Sequence, residues 1–123
     1  MERRSTRSKG RQGEEIAVEY LKNNGYRIVE KNYRNCFGEI DVVAQEGATV
    51  VFVEVKTKNT PCYDHPAAAV DLRKQQRLCK VAATYIIRKR LTHHPVRFDV
   101  VSIYGEKIEV IKNAFELQEE FLW

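Results

Sequence analysis

The chain predicts an α/β fold around a mixed central sheet, in the order helix, strand, strand, strand, helix, strand, strand. Three observations carry this reading. Apolar residues recur at helical spacing in two stretches, one with Ile16, Ala17, Tyr20 and Leu21 and one with Leu78, Ala82, Tyr85 and Ile86. Runs rich in Val, Ile and aromatic residues are divided by the turn signals Glu46-Gly47 and Gly105-Glu106. A helix placed after three meandering strands can return the fourth strand parallel to a central one.

The first helix is expected over residues 12 to 24, where Asn24-Gly25 supplies a left-handed stop. Glu14 then falls in the first turn. The helix dipole alone favours a carboxylate there, so a plain first-turn acid and a functional residue are both open readings. Tyr26 to Tyr33 reads as the first strand, Asn35 to Gly38 as a turn, and residues 39–45 and 49–57 as a hairpin closed by Glu46-Gly47. A loop with Asn59, Pro61 and Pro66 leads to a short turn at Ala67-Ala68-Ala69. Asp71 can cap a long helix from Leu72 to about Arg90. Val96 to Tyr104 and Lys107 to Lys112 form the last two strands, and Ala114 to Trp123 reads as a short helix docking Phe115, Phe121, Leu122 or Trp123.

With 123 residues, 43% hydrophobic and 31% charged, the chain can form one domain around a single core. Residues 1–11 carry Arg3, Arg4, Arg7, Lys9 and Arg11 with no apolar run behind them. They are expected to be a mobile basic arm, neither a secretory signal nor a membrane span. Residues 12–123 then make the domain. A net charge of +4 favours a polyanionic partner without demanding one. Cys36, Cys62 and Cys79 have no paired short spacing, which argues against a disulfide framework or a zinc site and for a reducing, cytoplasmic setting. His65, His93 and His94 stand near prolines in expected surface loops.

Function is concentrated in Glu54-Val55-Lys56. In the strand from Thr49 to Thr57, Val51, Val53 and Val55 share one face while Phe52, Glu54 and Lys56 share the other. An acid and an amine therefore enter a semi-buried surface. If Glu46-Gly47 is a two-residue loop, Gln45 pairs with Ala48, Asp41 lies opposite Phe52, and Glu39 lies opposite Glu54. Asp41 then becomes a diagonal neighbour of Glu54. Two carboxylates about 5 Å apart repel by roughly 3 kcal/mol at an effective dielectric near 20. A hard divalent cation resolves that conflict, because Mg²⁺ selects oxygen ligands. The alternative is a solubilising edge-strand charge pair, but the apolar run around it reads as a central strand. On the second helix, Arg73, Lys74, Arg77 and Lys80 form a basic ridge that either binds phosphates or is simply solvated.

Three segments carry a family resemblance: Gly10-Arg-Gln-Gly13-Glu14-Glu-Ile-Ala17, Gly38-Glu-Ile-Asp41-Val-Val-Ala44 and Val51-Phe-Val-Glu54-Val-Lys56-Thr-Lys58. Arg97-Phe98-Asp99-Val100-Val101 agrees with a weaker downstream segment. The set resembles the YraN family of small bacterial proteins, within the PD-(D/E)xK superfamily and similar to Holliday-junction resolvases. Ile40 stands where the superfamily pattern has proline.

The resemblance implies a three-layer restriction-endonuclease-like core. In it Asp41, Glu54 and the backbone carbonyl of Val55 hold Mg²⁺ or Mn²⁺, Lys56 assists the attacking water, and Glu14 completes the cluster. Glu39 takes a structural or supporting role, and Gln75 or Gln76 can also reach the site. The expected activity is metal-dependent hydrolysis of nucleic-acid phosphodiesters, on DNA rather than RNA and by structure rather than sequence, with Arg73, Lys74, Arg77 and Lys80 on phosphates. A homodimer is compatible with it. The competing reading is a non-catalytic nucleic-acid-binding or accessory protein on the same fold.

Overall fold

The computed structural model describes residues 6–58 and 70–117, with side chains from Gln12 onward. Its elements are α1 (Thr6–Asn23), β1 (Arg27–Asn35), β2 (Gly38–Glu46), β3 (Thr49–Lys58), α2 (Leu72–Arg88), β4 (Val96–Tyr104) and β5 (Lys107–Phe115). The five strands form one mixed sheet in chain order, antiparallel except for the parallel β3–β4 pair that α2 connects. The expected element order holds. The Ala67-Ala68-Ala69 turn, His65, Cys62 and the residues from 118 onward lie outside the described residues.

Alternation along β3 divides the core in two. Val51, Val53 and partly buried Val55 pack with Ala17, Val18 and Leu21 of α1, whereas Phe52 packs with Leu78, Ala82, Tyr85 and Ile86 of α2. The helices therefore cover opposite faces. The α2 side is aromatic: Tyr85 meets Tyr33 and Phe52 edge-on at ring separations of 4.9 and 5.7 Å, and Phe98 stacks on Phe115 at 4.4 Å. The α1 side is mostly valine and alanine. Small side chains let α1 approach closely, and a Cβ on Gly13 would lie 2.6 Å from Thr57 Oγ1.

Four expectations change. Helix α1 starts at Thr6, so residues 6–11 of the expected arm are helical and residues 1–5 lie outside the described set. Its buried stripe is Gly13, Ala17, Val18 and Leu21, leaving Ile16 39% exposed. Phe115 docks as expected, but as the last residue of β5 rather than on a helix. The β2–β3 loop is Gly47-Ala48, with Glu46 paired to Thr49. Gly47 has φ +59, which suits the first central position of a type II′ turn, and that requirement outweighs placing the glycine second. The register moves by two residues. An even shift preserves faces, so Val43 rather than Asp41 lies across from Phe52.

One polar network is sealed into the α1 side. Asp99, 1% exposed, accepts from Tyr26 Oη (2.7 Å), Arg97 Nε (2.8 Å), Arg97 Nη2 (2.9 Å) and the Asn113 N–H (3.0 Å). Arg97 Nη2 also donates to Glu46 at 2.9 Å, and Lys112 reaches the same carboxylate at 3.0 Å. Burial and the Asp99 carboxylate push the Tyr26 phenol up, and hydrogen bonding to Asp99 holds Arg97 charged. Removing one partner of a buried ion pair strands the other charge. Arg97→Met is expected to lower stability by roughly 3–5 kcal/mol in urea unfolding; a loss under about 1 kcal/mol, the range of a surface pair, would contradict this account.

Candidate functional site

Glu54 and Lys56 sit near the C-terminal end of β3, on the face covered by α2 as alternation demands. Glu54 is paired to Lys74 of α2, with Nζ 2.6 Å from Oε1, rather than to its strand neighbour Lys56. Its side chain is 11% exposed. Lys56 is half-buried beside Ser102 of β4.

Asp41 occupies a break in β2. Ile40 and Val43 both join the α2-side core while Val42 and Ala44 join the α1 side, so the strand turns over between Ile40 and Val42. The backbone ladder with β3 ends at Val42–Val53. Beyond it Asp41 Oδ2 accepts the Val55 N–H at 2.8 Å, a side chain doing what a strand carbonyl would otherwise do. At this crossing Asp41 feels groups from both layers. Burial and the charges of Glu54 and Glu14 push its carboxyl up to about 7, against the opposing pull of the Val55 N–H and Lys74.

Glu14, Glu39 and Asp41 each bring a carboxylate oxygen within 4.8 Å of the others. Glu39 is thus drawn to Glu14 and Asp41, and its other partner is Arg34 across the β1–β2 hairpin at 2.8 Å, not Glu54. Because α1 starts at Thr6, Glu14 lies well past the first turn, which contains no acid. The dipole reading of Glu14 therefore fails. Its place is set by Gly13, whose missing side chain lets the helix lie against Thr57.

Oxygens on opposite sides of one ion are separated by about 4.2 Å for Mg²⁺ and about 4.6–5.2 Å for Ca²⁺. Glu14, Glu39 and Asp41 offer oxygen donors of the kind a hard divalent cation takes, at separations of up to 4.8 Å, and Glu54 stands outside that trio. Lys74 of the expected ridge turns inward to Glu54, while Arg73, Arg77 and Lys80 are exposed along α2. Gln75 is spent on the Val70 carbonyl at 2.8 Å, and Gln76 is exposed. Sequence reasoning missed Lys74 as the partner of Glu54 and Gly13 as the spacer. The small pair Gly13 and Ala17, four residues apart, was the readable sign of a close helix approach.

A family model described as Uncharacterised protein family UPF0102 matches residues 13–103. The chain belongs to this family. UPF0102 proteins of Syntrophus aciditrophicus and Persephonella marina are 48% and 45% identical to it, over 88% and 89% of this chain and 88% and 94% of theirs. The UPF0102 protein of Geotalea uraniireducens is 46% identical over 94% of this chain and 95% of its own. The YraN resemblance read from the motifs is this same UPF0102 membership. Among solved structures, Pyrococcus furiosus SfsA in complex with Ca²⁺ aligns with a TM-score of 0.37 and 15% identity, over 88% of this chain and 62% of that one. No helix among the described UPF0102 residues is long and apolar enough to cross a membrane.

A carboxylate whose pKa is raised on folding makes the folded state bind its proton more tightly than the unfolded chain does. The stability that this group contributes is therefore present below about pH 4 and is lost as pH rises through about 7. Asp41→Asn keeps an acceptor for Val55 and removes the charge. Without divalent ions it is expected to match the parent near pH 4 and to exceed it at pH 8 by on the order of 1–4 kcal/mol in urea unfolding. Equal stability at both pH values would mean that Asp41 is not held in a repulsive site.

Proposed function

We propose that this chain is a divalent-metal-dependent nuclease on a restriction-endonuclease-like core, hydrolysing DNA phosphodiesters by structure rather than by sequence. The observation that carries this reading is Asp41. A carboxylate placed at a strand break, half-buried against Glu54 and near Glu14 and Glu39, carries a charge that its contact with the Val55 N–H does not require, since a neutral amide could accept the same bond. Asp41, Glu54, Glu14 and the Val55 carbonyl would hold Mg²⁺ or Mn²⁺, with Glu39 at the same cluster. There the ion would supply polarisation of a phosphoryl oxygen and a more acidic water.

The chain's own groups supply the rest. Asp41, fixed by the Val55 N–H, keeps its other oxygen for the ion. Lys56 presents a half-buried ammonium able to orient the attacking water and offset phosphate charge. Arg73, Arg77 and Lys80 offer exposed cations to successive phosphates. Phe37, 45% exposed beside Gly38, which lies against the Arg77 stem, offers a ring on which a base can stack. Among the described residues no base-edge reader accompanies them, which favours recognition of shape.

The test is cleavage of labelled duplex, single-stranded, flapped and four-way DNA, with and without Mg²⁺ or Mn²⁺. Cutting is expected only with metal, and Glu54→Ala or Asp41→Ala should reduce it roughly 10²-fold or more. Full activity in Glu54→Ala would remove the proposal. The Lys74–Glu54 pair favours a second reading, since it leaves Glu54 already neutralised: a nucleic-acid-binding protein without turnover. In that case cleavage is absent while binding persists. Under either reading each phosphate contact adds about −0.9 to the slope of log affinity against log salt on duplex DNA. The Arg73→Glu/Arg77→Glu double variant should flatten that slope; an unchanged slope excludes the ridge.

A further inference from the structure

Lys74 is held in an unusual way for a cation. Asp71 caps α2 and accepts the Lys74 N–H at 2.8 Å, which fixes this residue in the first turn. A helix N-terminus carries partial positive charge, so an ammonium there is disfavoured unless something else holds it. That something is Glu54, at 2.6 Å, with the lysine 34% and the glutamate 11% exposed. Arg73, its neighbour, is exposed and takes no part in this pair.

We infer that Lys74 is an exchangeable counter-ion: it holds Glu54 while no divalent cation is bound, yields that carboxylate to the cation, and then turns to a phosphate of the substrate. This rests on the metal-dependent reading above. The pair identifies the competition, because an ion taking Glu54 Oε1 must displace an ammonium already within hydrogen-bonding distance of it. It also identifies the destination. The freed Lys74 stays tethered beside exposed Arg73, where two adjacent cations together suit an anion. The lysine would thus keep the acidic site folded before metal arrives and join the ridge only afterwards.

The experiment is calorimetric titration of the full chain with Mn²⁺ alone, in the absence of nucleic acid. Lys74→Met and Lys74→Gln are expected to bind Mn²⁺ about tenfold more tightly than the parent, the effect of deleting one unit charge roughly 6 Å from a divalent ion in a water-like dielectric. Arg73→Met, which removes a neighbouring cation without touching Glu54, should change affinity less than about twofold. Unchanged Mn²⁺ affinity in both Lys74 variants, with folding verified by circular dichroism, would overturn the exchange. So would equal tightening in Arg73→Met, which would reduce the effect to general charge. A parent chain that binds no Mn²⁺ would instead bring down the metal-dependent reading itself, so the two failures are distinguishable.

Discussion

The site depends on one interrupted ladder. Where β2 turns over between Ile40 and Val42, its backbone no longer pairs with β3, and the Val55 N–H would be left without an acceptor. A buried backbone donor left unpaired costs on the order of 1–3 kcal/mol, so an acceptor must come from a side chain. Asp41 supplies it at 2.8 Å. The same contact fixes the carboxylate between the two helical layers, within reach of Glu14 on one side and under the influence of Glu54 on the other. A regular strand would have sent Asp41 wholly to one face.

Asp99 shows what this geometry looks like when it serves only the fold. It too stands at a ladder irregularity, between Phe98 and Val100, and it too accepts a neighbouring strand's N–H, that of Asn113. Around it, however, the chain supplies Tyr26 and two nitrogens of Arg97. Asp41 has acids for neighbours, with Lys74 as the cation that eases its ionisation. Two aspartates share a backbone task, and only one is left electrostatically short of cations. The contrast separates an aspartate whose charge is matched from one whose charge is opposed more sharply than burial would.

Much of the fold was legible because it rests on short periods. Alternation along Thr49 to Thr57 assigned every face of β3, and the α2 stripe of Leu78, Ala82, Tyr85 and Ile86 is buried as read. The β2–β3 register was missed by two residues because a glycine's preference within the turn was misjudged, yet the even error left the faces intact. Other features were not legible because they depend on contacts between distant segments. Glu54 looked to Lys56 in sequence but found Lys74, twenty residues on, once α2 crossed the sheet. Glu14 read as a first-turn acid only while the helix was thought to begin at residue 12. The turnover at Ile40 to Val42 breaks the strand period itself, so no pattern based on that period could reveal it.

The two polar centres are coupled through α1. Its C-terminal end is fastened where the Tyr26 N–H meets the Leu21 carbonyl at 3.0 Å and the Tyr26 hydroxyl reaches Asp99. Its earlier part is seated by Gly13 against Thr57 of β3, and the next residue is Glu14. A rigid helix held at both places leaves Glu14 little freedom to retreat from Asp41 and Glu39, although like charges drive it to do so. The Arg97–Asp99 network thus helps to hold the acidic cluster in place. Site geometry of this kind requires a fold that resists the repulsion it contains, and here the resistance is supplied by a buried ion pair on the same face of the sheet.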